Sequence, residues 1–173
     1  MSTWNLDPTH SVVEFKVKHM MISNVKGTFG KATGVLNYDE ANPAAATIEA
    51  SVDVTSIATG DAQRDGHLKS ADFFDVEKFP SMTFKSFKVL PKDGTVEGEL
   101  TIKDVTKTVA FDVSGPTEPG KDPWGNTRVA VEATTKISRK EFGLTWNAAL
   151  ETGGVLVGDE VTITIDAQFV QQA

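Results

Sequence analysis

The residues best suited to chemistry lie within four positions, where Arg64, Asp65 and His67 bring a cation, an acid and a base together. Such a set could perform general acid–base catalysis if the fold placed a reactive group beside it. The sequence contains no Gly-x-Ser-x-Gly elbow, phosphate-binding glycine-rich loop or His-Glu-x-x-His helix. We therefore expect no catalytic residue, and we expect Arg64 and Asp65 to form an internal ion pair that fixes a helix to the fold.

The histidines are His10, His19 and His67. A metal site would need at least two of them together with carboxylates, and no two lie at a short spacing. We therefore expect no metal ligand. His19 continues the apolar face of the segment 13–18. We therefore predict that His19 lies at the rim of the structure to which this segment belongs.

Apolar and polar residues alternate with a period of two along most of the chain, as is typical of strands with one buried face and one wet face. The pattern is clearest in the segments 13–18, 47–55, 96–103 and 161–169. Further strands are predicted at about 27–38, 82–91, 107–115 and 127–138. Turn signals separate them, among them Asp93-Gly94 and Gly153-Gly154.

Roughly eight such strands could close into a barrel or stack as a sandwich, and periodicity alone does not separate the two. The distinction matters because an eight-stranded barrel is just wide enough to be filled by side chains or to hold one small ligand. Between Phe84 and Phe87 the apolar phase shifts by one residue, which predicts a β-bulge.

One connection departs from the strand pattern. The residues of this connection predict a short helix near 61–69, and Gly66 lowers the stability of that helix. Phe73, Phe74 and Phe79 follow in the same connection. Because connections usually face solvent, we expect these rings to pack against an apolar surface elsewhere in the fold.

Composition narrows the class of protein. A chain of 173 residues suits a single domain over 1–173, and 39% hydrophobic residues suit a folded one. The net charge of −7, with no run of lysine or arginine, would repel a phosphate backbone, so we expect no nucleic-acid partner. Cysteine is absent, which excludes disulfides and thiolate chemistry.

Two further features bear on location. No segment approaches ~18 uninterrupted apolar residues, so we expect no stable membrane insertion. The opening residues 1–4 run directly into a strand-like segment without the basic and apolar regions of an export leader. As written, the sequence predicts a cytoplasmic protein, and the alternative is a periplasmic one from which a leader has been removed.

Over nearly its full length the chain resembles the YceI-like family of bacterial lipid-binding proteins. The resemblance rests on five blocks in the right order and spacing, at 4–11, 15–30, 64–75, 98–102 and 139–144. It implies an all-β fold, an extended, lipocalin-like, eight-stranded antiparallel barrel with one short helix near 61–69. The tunnel of such a barrel would hold a long isoprenoid or comparable amphiphile, often in a homodimer. The resemblance thus favours a barrel over a sandwich.

The inward-facing apolar residues would then grip the tail of the amphiphile, although a filled barrel would use the same residues. The predicted tail-binding residues are Phe15, Val17, Phe29, Val52, Phe73, Phe74, Phe84, Leu100, Phe111, Val131, Phe142, Trp146 and Ile163. For the head group or tunnel mouth we predict His19, Arg64 and His67. Arg64 would contact a pyrophosphate or quinone head if it does not serve the ion pair, since guanidinium suits phosphate oxygens.

The expected function is non-catalytic binding, carriage or storage of a long-chain isoprenoid lipid of the polyprenyl phosphate or quinone type. No cofactor is expected beyond the bound lipid or quinone. Two alternatives remain open, namely an enzyme that modifies such a lipid with histidine and carboxylate groups, and a filled barrel that acts as an interaction module.

Overall fold

A computed structural model describes residues 1–148, 150 and 156–172. The predicted turn at Gly153-Gly154 lies outside these residues. The strands of the described part are β1 Ser2–Leu6, β2 Val12–His19, β3 Ser23–Phe29, β4 Ala32–Tyr38, β5 Thr47–Asp53, β6 Ile57–Ala58, β7 Ser81–Leu90, β8 Thr95–Ile102, β9 Val105–Ser114, β10 Gly120–Lys121, β11 Thr127–Ser138 and β12 Val157–Gln171. One helix, α1 (Ala62–Lys69), lies between β6 and β7, and short 3₁₀ turns occupy Pro8–His10, Pro43–Ala45, Val54–Ser56 and Arg139–Phe142.

The strands close into a barrel in which every pairing is antiparallel. Three of its walls are interrupted strands: β1 continues as β2, β3 as β4, and β5 as β6. With β7, β8, β9, β11 and β12 they make eight walls, and β12 closes the ring by pairing with β11 on one edge and with β1 and β2 on the other. The short β10 adds to the outer edge of β11. The predicted eight-stranded antiparallel barrel is confirmed.

The predicted single strand at 27–38 is wrong, because β3 ends at Phe29 and β4 begins at Ala32. Between them the backbone of Lys31 bonds to the neighbouring segment: its N–H donates to Ser56 Oγ (3.2 Å), and its carbonyl accepts from the N–H of Asp53 (2.8 Å). The chain bends at this point, so the barrel wall turns here instead of running straight.

The predicted strand at 47–55 also stops early, at Asp53. The carboxylate of Asp53 accepts from the N–H of Thr55 at 3.0 Å and starts a 3₁₀ turn, as a short acidic side chain commonly does at such a position. The β-bulge is confirmed, since the pairing of β7 with β8 shifts register between Ser86 and Lys88.

The predicted short helix is confirmed as α1. Asp61 caps it, with Oδ1 accepting from the N–H groups of Gln63 (2.9 Å) and Arg64 (3.1 Å). None of its residues is fully buried, so contacts with neighbouring segments must hold it in place. Within the described residues, no helix has both the length and the apolarity needed to cross a membrane.

One end of the barrel is solid. Here the inward-facing side chains form a hydrophobic cluster, and its buried members are Trp4, Leu36, Val129, Ala167 and Phe169. Towards the middle of the barrel the rings of Phe84 and Phe111 meet edge to face with centroids 5.0 Å apart.

An ion cluster fastens the strand ends around the solid end. Arg128 on β11 bonds to Asp7 (2.6 Å) and Asp122 (2.7 Å), and all three side chains are at most one-fifth exposed. The hydrogen bond from Arg128 holds the pKa of Asp7 well below its usual range. Burial works to raise the pKa of Asp122, but bonds from Arg128 and from the backbone of Trp124 and Asn126 lower it to about 2.

Candidate functional site

The open end of the barrel encloses a cavity of about 210 Å³ between β2, β3, β11, β12 and α1. One water molecule needs about 10–15 Å³ of such space, so the cavity is far larger than a packing defect. Its walls are mostly aliphatic and aromatic. An apolar cavity of this kind suits hydrocarbon better than any charged or strongly hydrated molecule.

Seven of the thirteen predicted tail-binding residues line this cavity, namely Phe15, Val17, Phe29, Phe73, Phe74, Trp146 and Ile163. The structure places the other six, Val52, Phe84, Leu100, Phe111, Val131 and Phe142, in the surrounding core. Alternation correctly predicts which face of a strand is buried, but it carries no information on the height of a residue along the barrel axis. Phe84, for example, faces inward but meets Phe111 in mid-barrel.

The other apolar lining residues were not predicted; they are Val25, Leu68, Met82, Ile102, Ile137, Leu144, Leu156, Val157 and Val161. Two of them could have been predicted from the strand pattern. Val161 lies on the same face of its strand as Ile163, and Val25 pairs with Val17 across the β2–β3 hairpin. Ile137 and Leu144 approach one another only through the turn at Arg139–Phe142, which strand periodicity does not describe.

The rings on the β2–β3 side form a continuous aromatic wall. The Phe15 and Phe29 centroids lie 5.6 Å apart, and Phe74 meets Phe29 edge to face at 6.0 Å. A methyl group on Gly27 would overlap the Phe15 ring and lie 2.9 Å from Thr59 Cγ2. Gly27 therefore provides the space in which the Phe15 ring lies across β3.

The connection after α1 also contributes to the wall of the cavity. Phe73 is buried and Phe74 half-buried, and both line the cavity, while Phe79 is half-buried. The expectation that these rings find an apolar surface is confirmed for Phe73, which packs in the main core cluster, and for Phe74, which packs against it. Phe79 belongs to none of the core clusters among the described residues.

Arg64 and Asp65 do not form the predicted ion pair. Each bonds to Thr59 instead: the Asp65 carboxylate accepts from Thr59 N (2.9 Å) and Oγ1 (2.5 Å), whereas Arg64 donates Nε to Thr59 Oγ1 and Nη2 to Thr59 O, both at 2.8 Å. Thr59 satisfies both charged groups because it precedes the helix, where its backbone is free to bond. The network fixes α1 to the segment after β6, and Arg64 also lines the cavity.

His67 and His19 lie on the same cavity. His67 Nε2 lies 2.9 Å from Asp72 Oδ2, and its ring meets Phe73 (5.1 Å) and Trp146 (4.7 Å) edge to face. His19 ends β2, opposite Ser23 and Val157. The structure thus brings the three predicted mouth residues to one apolar space, and in the described part no three His, Asp or Glu residues are grouped as a metal site.

Arg139 is the main polar residue that the sequence did not reveal, and it lines the cavity with only 3% of its surface exposed. Its guanidinium donates to four backbone carbonyls, those of Leu144 (2.6 Å), Trp146 (2.9 Å), Val157 (3.1 Å) and Gly158 (2.7 Å). Burial lowers its pKa, and the charge of Asp159 partly offsets this effect. Arg139 therefore ties the segment after β11 to the start of β12 and holds one side of the cavity together.

The comparisons with known proteins agree on the family. A model of the YceI-like domain matches residues 4–169. The chain belongs to the YceI-like family. A UPF0312 protein of Staphylococcus aureus strain N315 is 36% identical to this YceI-like chain over 170 residues, which cover 98% of each protein.

Solved structures share the YceI-like barrel. BcnA of Burkholderia cenocepacia has a TM-score of 0.77 at 26% identity, covering 94% of this chain and 98% of its own. The YCEI protein of Campylobacter jejuni has a TM-score of 0.68 at 28% identity, covering 90% of each chain. A polyisoprenoid binding domain from Saccharophagus degradans has a TM-score of 0.71 at 14% identity over 99% of this chain and all of its own, a likeness that shows the fold alone.

Proposed function

We propose that this YceI-like barrel binds the tail of an isoprenoid lipid in its end cavity, without turnover, and so carries or stores the lipid. The observation that carries the proposal is an apolar cavity closed on one side by a solid barrel core. The Saccharophagus degradans domain, described as polyisoprenoid binding, supports it through the shared fold.

The size of the apolar contact is sufficient for useful affinity. One prenyl unit has five carbons, and burying each methylene contributes roughly 0.8 kcal/mol, so three units supply about 12 kcal/mol before costs. Several kcal/mol are lost in immobilising the lipid, which leaves an affinity of about micromolar. A longer tail would have to reach mid-barrel by separating Phe84 from Phe111, so we expect affinity to stop rising once the cavity is full.

The head group would lie near His19, Arg64 and His67, which accompany the apolar lining. Arg64 uses Nε and Nη2 on Thr59, and within the described residues Nη1 makes no hydrogen bond. A free guanidinium nitrogen favours a phosphate or a quinone oxygen as its partner. Polyprenyl phosphates and prenyl quinones therefore remain the proposed ligands, and a homodimer remains a prediction.

The test is uptake of a prenyl lipid by a barrel whose cavity has been filled. Val17 lines the cavity, whereas Val12 on the same strand is 46% exposed. We expect Val17→Trp to abolish uptake of geranylgeraniol from detergent, as measured by native mass spectrometry, and the matched Val12→Trp to retain it. Equal uptake by both folded variants, or no bound lipid in the wild-type protein, would refute the proposal.

An enzyme acting on the same lipid has one observation in its favour, the His67–Asp72 pair at 2.9 Å beside the cavity. Both side chains are well exposed, at 39% and 53%, and so are accessible to a head group at the mouth. Recovery of chemically altered lipid after incubation, lost in His67→Gln, would select the enzyme. Recovery of unaltered lipid from the wild-type protein supports binding alone.

A further inference from the structure

The turn between β2 and β3 exposes three consecutive large apolar side chains. Met20, Met21 and Ile22 are 45%, 56% and 80% exposed. Their backbone is also costly, since Met20 (φ +54°) and Met21 (φ +64°) both adopt the left-handed conformation that Asn and Gly usually supply in two-residue hairpin turns. Contiguous apolar exposure of this kind marks a surface that contacts something other than water. We call Met20–Ile22 the hairpin tip.

Lysines on β2 and β3 lie near the hairpin tip, and one of them, Lys18, is also at the edge of the cavity. Lys16, Lys18 and Lys26 are all exposed, and Lys16 lies directly opposite Lys26 across the hairpin. Like charges in this arrangement repel one another and destabilise the pairing. The hairpin from Val12 to Phe29 has three lysines and one glutamate, although the whole chain carries a net charge of −7. The hairpin is therefore a local positive region on an acidic protein, and an anionic partner would relieve its repulsion.

The hairpin tip is continuous with the cavity. His19 directly precedes the tip and lines the cavity, as does Val25 on the returning strand. The N–H of Met20 donates to the carbonyl of Leu156 (2.7 Å), which is itself a lining residue, so the tip is anchored to the cavity wall. Whatever covers the tip therefore also lies beside the opening through which a ligand passes.

We propose that the hairpin tip docks on an anionic phospholipid bilayer. The apolar side chains enter the interface, and Lys16 and Lys26 lie at the level of the charged head groups. Docked in this way, the barrel presents its cavity to the membrane, and a lipid tail moves between the two without crossing bulk water. This inference goes beyond the binding of a lipid, because it concerns the surface from which the lipid is taken or to which it is delivered.

The test is sedimentation of the full chain with vesicles of equal parts phosphatidylglycerol and phosphatidylcholine, compared with vesicles of phosphatidylcholine alone. We expect binding to the anionic vesicles at low salt and its loss near 1 M salt, where screening acts over about 3 Å. Met21→Ser/Ile22→Ser is expected to reduce the partition coefficient at least about tenfold, since it removes the inserted apolar surface. Lys16→Gln/Lys26→Gln should reduce it by about fivefold per lysine.

Matched controls lie at the other end of the barrel. Trp124 is 76% exposed in the turn before β11, and Trp124→Ser removes a larger apolar side chain than either tip substitution does. Lys88 lies on β7 and Lys92 follows it, and Lys88→Gln/Lys92→Gln removes the same charge as the double lysine variant of the hairpin. Both are expected to bind vesicles as the wild type does. A loss in these controls equal to that in the hairpin variants would overturn the proposal, because binding would then depend on general apolarity or charge.

Two further outcomes contradict the proposal. Wild-type protein that stays in the supernatant with anionic vesicles refutes docking. A wild-type dimer that the Met21→Ser/Ile22→Ser variant converts to monomer, with no vesicle binding, would identify a second copy of the chain as the partner. Uptake of geranylgeraniol from detergent, which needs no docking, is measured in parallel: uptake without docking refutes this inference alone, and docking without uptake refutes the proposed function alone.

Discussion

Arg139→Met should destabilise the barrel and its cavity together. The substitution keeps an unbranched side chain of similar length but removes every donor from a site that is 3% exposed. Four carbonyl oxygens lose a charge-assisted hydrogen bond. Among the described residues, only that of Val157 keeps a second side-chain donor, Asn147 Nδ2 at 2.7 Å. Three of the affected carbonyls belong to cavity-lining residues, namely Leu144, Trp146 and Val157.

The size of the effect follows from the three oxygens that depend most on Arg139, those of Leu144, Trp146 and Gly158. A buried polar group left without a partner costs about 1–3 kcal/mol, so the three together would cost about 3–9 kcal/mol. Water entering from the adjacent cavity relieves part of this, and we expect a loss of about 3–5 kcal/mol. Arg139→Lys keeps the charge but not the planar fork, so its loss should be smaller, at about 1–3 kcal/mol.

The measurement is urea unfolding at pH 7, with the free energy of unfolding extrapolated to water. Lys140→Met is the matched control, because it makes a similar change at an exposed neighbouring position and should stay within about 0.5 kcal/mol of the wild type. If Arg139→Met unfolds with the same free energy as Lys140→Met, the four hydrogen bonds do not stabilise the fold and the reasoning is wrong.

Two further predictions test other parts of the account. Gly27→Ala should lower prenyl uptake several-fold, because the added methyl group displaces the Phe15 ring that lines the cavity. Gly30→Ala should leave uptake unchanged, because its added methyl group meets no atom within 4 Å. Equal uptake by the two variants would contradict the prediction. The lowered pKa values of Asp7 and Asp122 mean that their stabilising contribution is complete above about pH 4 and is lost as the pH falls towards 2. Arg128→Met should therefore be less stable at pH 7 and show a shallower loss of stability between pH 4 and 2 in thermal unfolding, and an unchanged slope would refute the role of the cluster.

The sequence predicted most of the strands well because alternation is a local property, whereas the choice of a barrel over a sandwich came from the family resemblance. Val161, Ile163 and Ile165 alternate with polar residues, and each follows the inward face of β12 in the structure. The break at Gly30 was missed because it arises from backbone bonds to a segment more than twenty residues away. Local patterns carry no record of such long-range partners.

The site was predicted less completely than the fold, for two physical reasons. Height along the barrel axis depends on strand register, so Phe15 and Phe84 look alike in sequence although only Phe15 lines the cavity. Arg139 was included in a block that resembles the family, but its role in the site was not predicted. Its four hydrogen-bond partners are backbone carbonyl oxygens, which every residue possesses, so no residue type in the sequence indicates them. The prediction of an Arg64–Asp65 ion pair was wrong for a related reason. The backbone and hydroxyl groups of Thr59 form hydrogen bonds with both charged side chains.

The central claim is that the end cavity holds a hydrocarbon tail, and a crystal structure of the protein grown with geranylgeranyl phosphate tests it most directly. The account predicts continuous ligand density between the Phe15 ring and the Trp146 ring, with the phosphate near Arg64. A cavity filled with ordered water while the lipid lies elsewhere, or a collapsed end with no density, would contradict it.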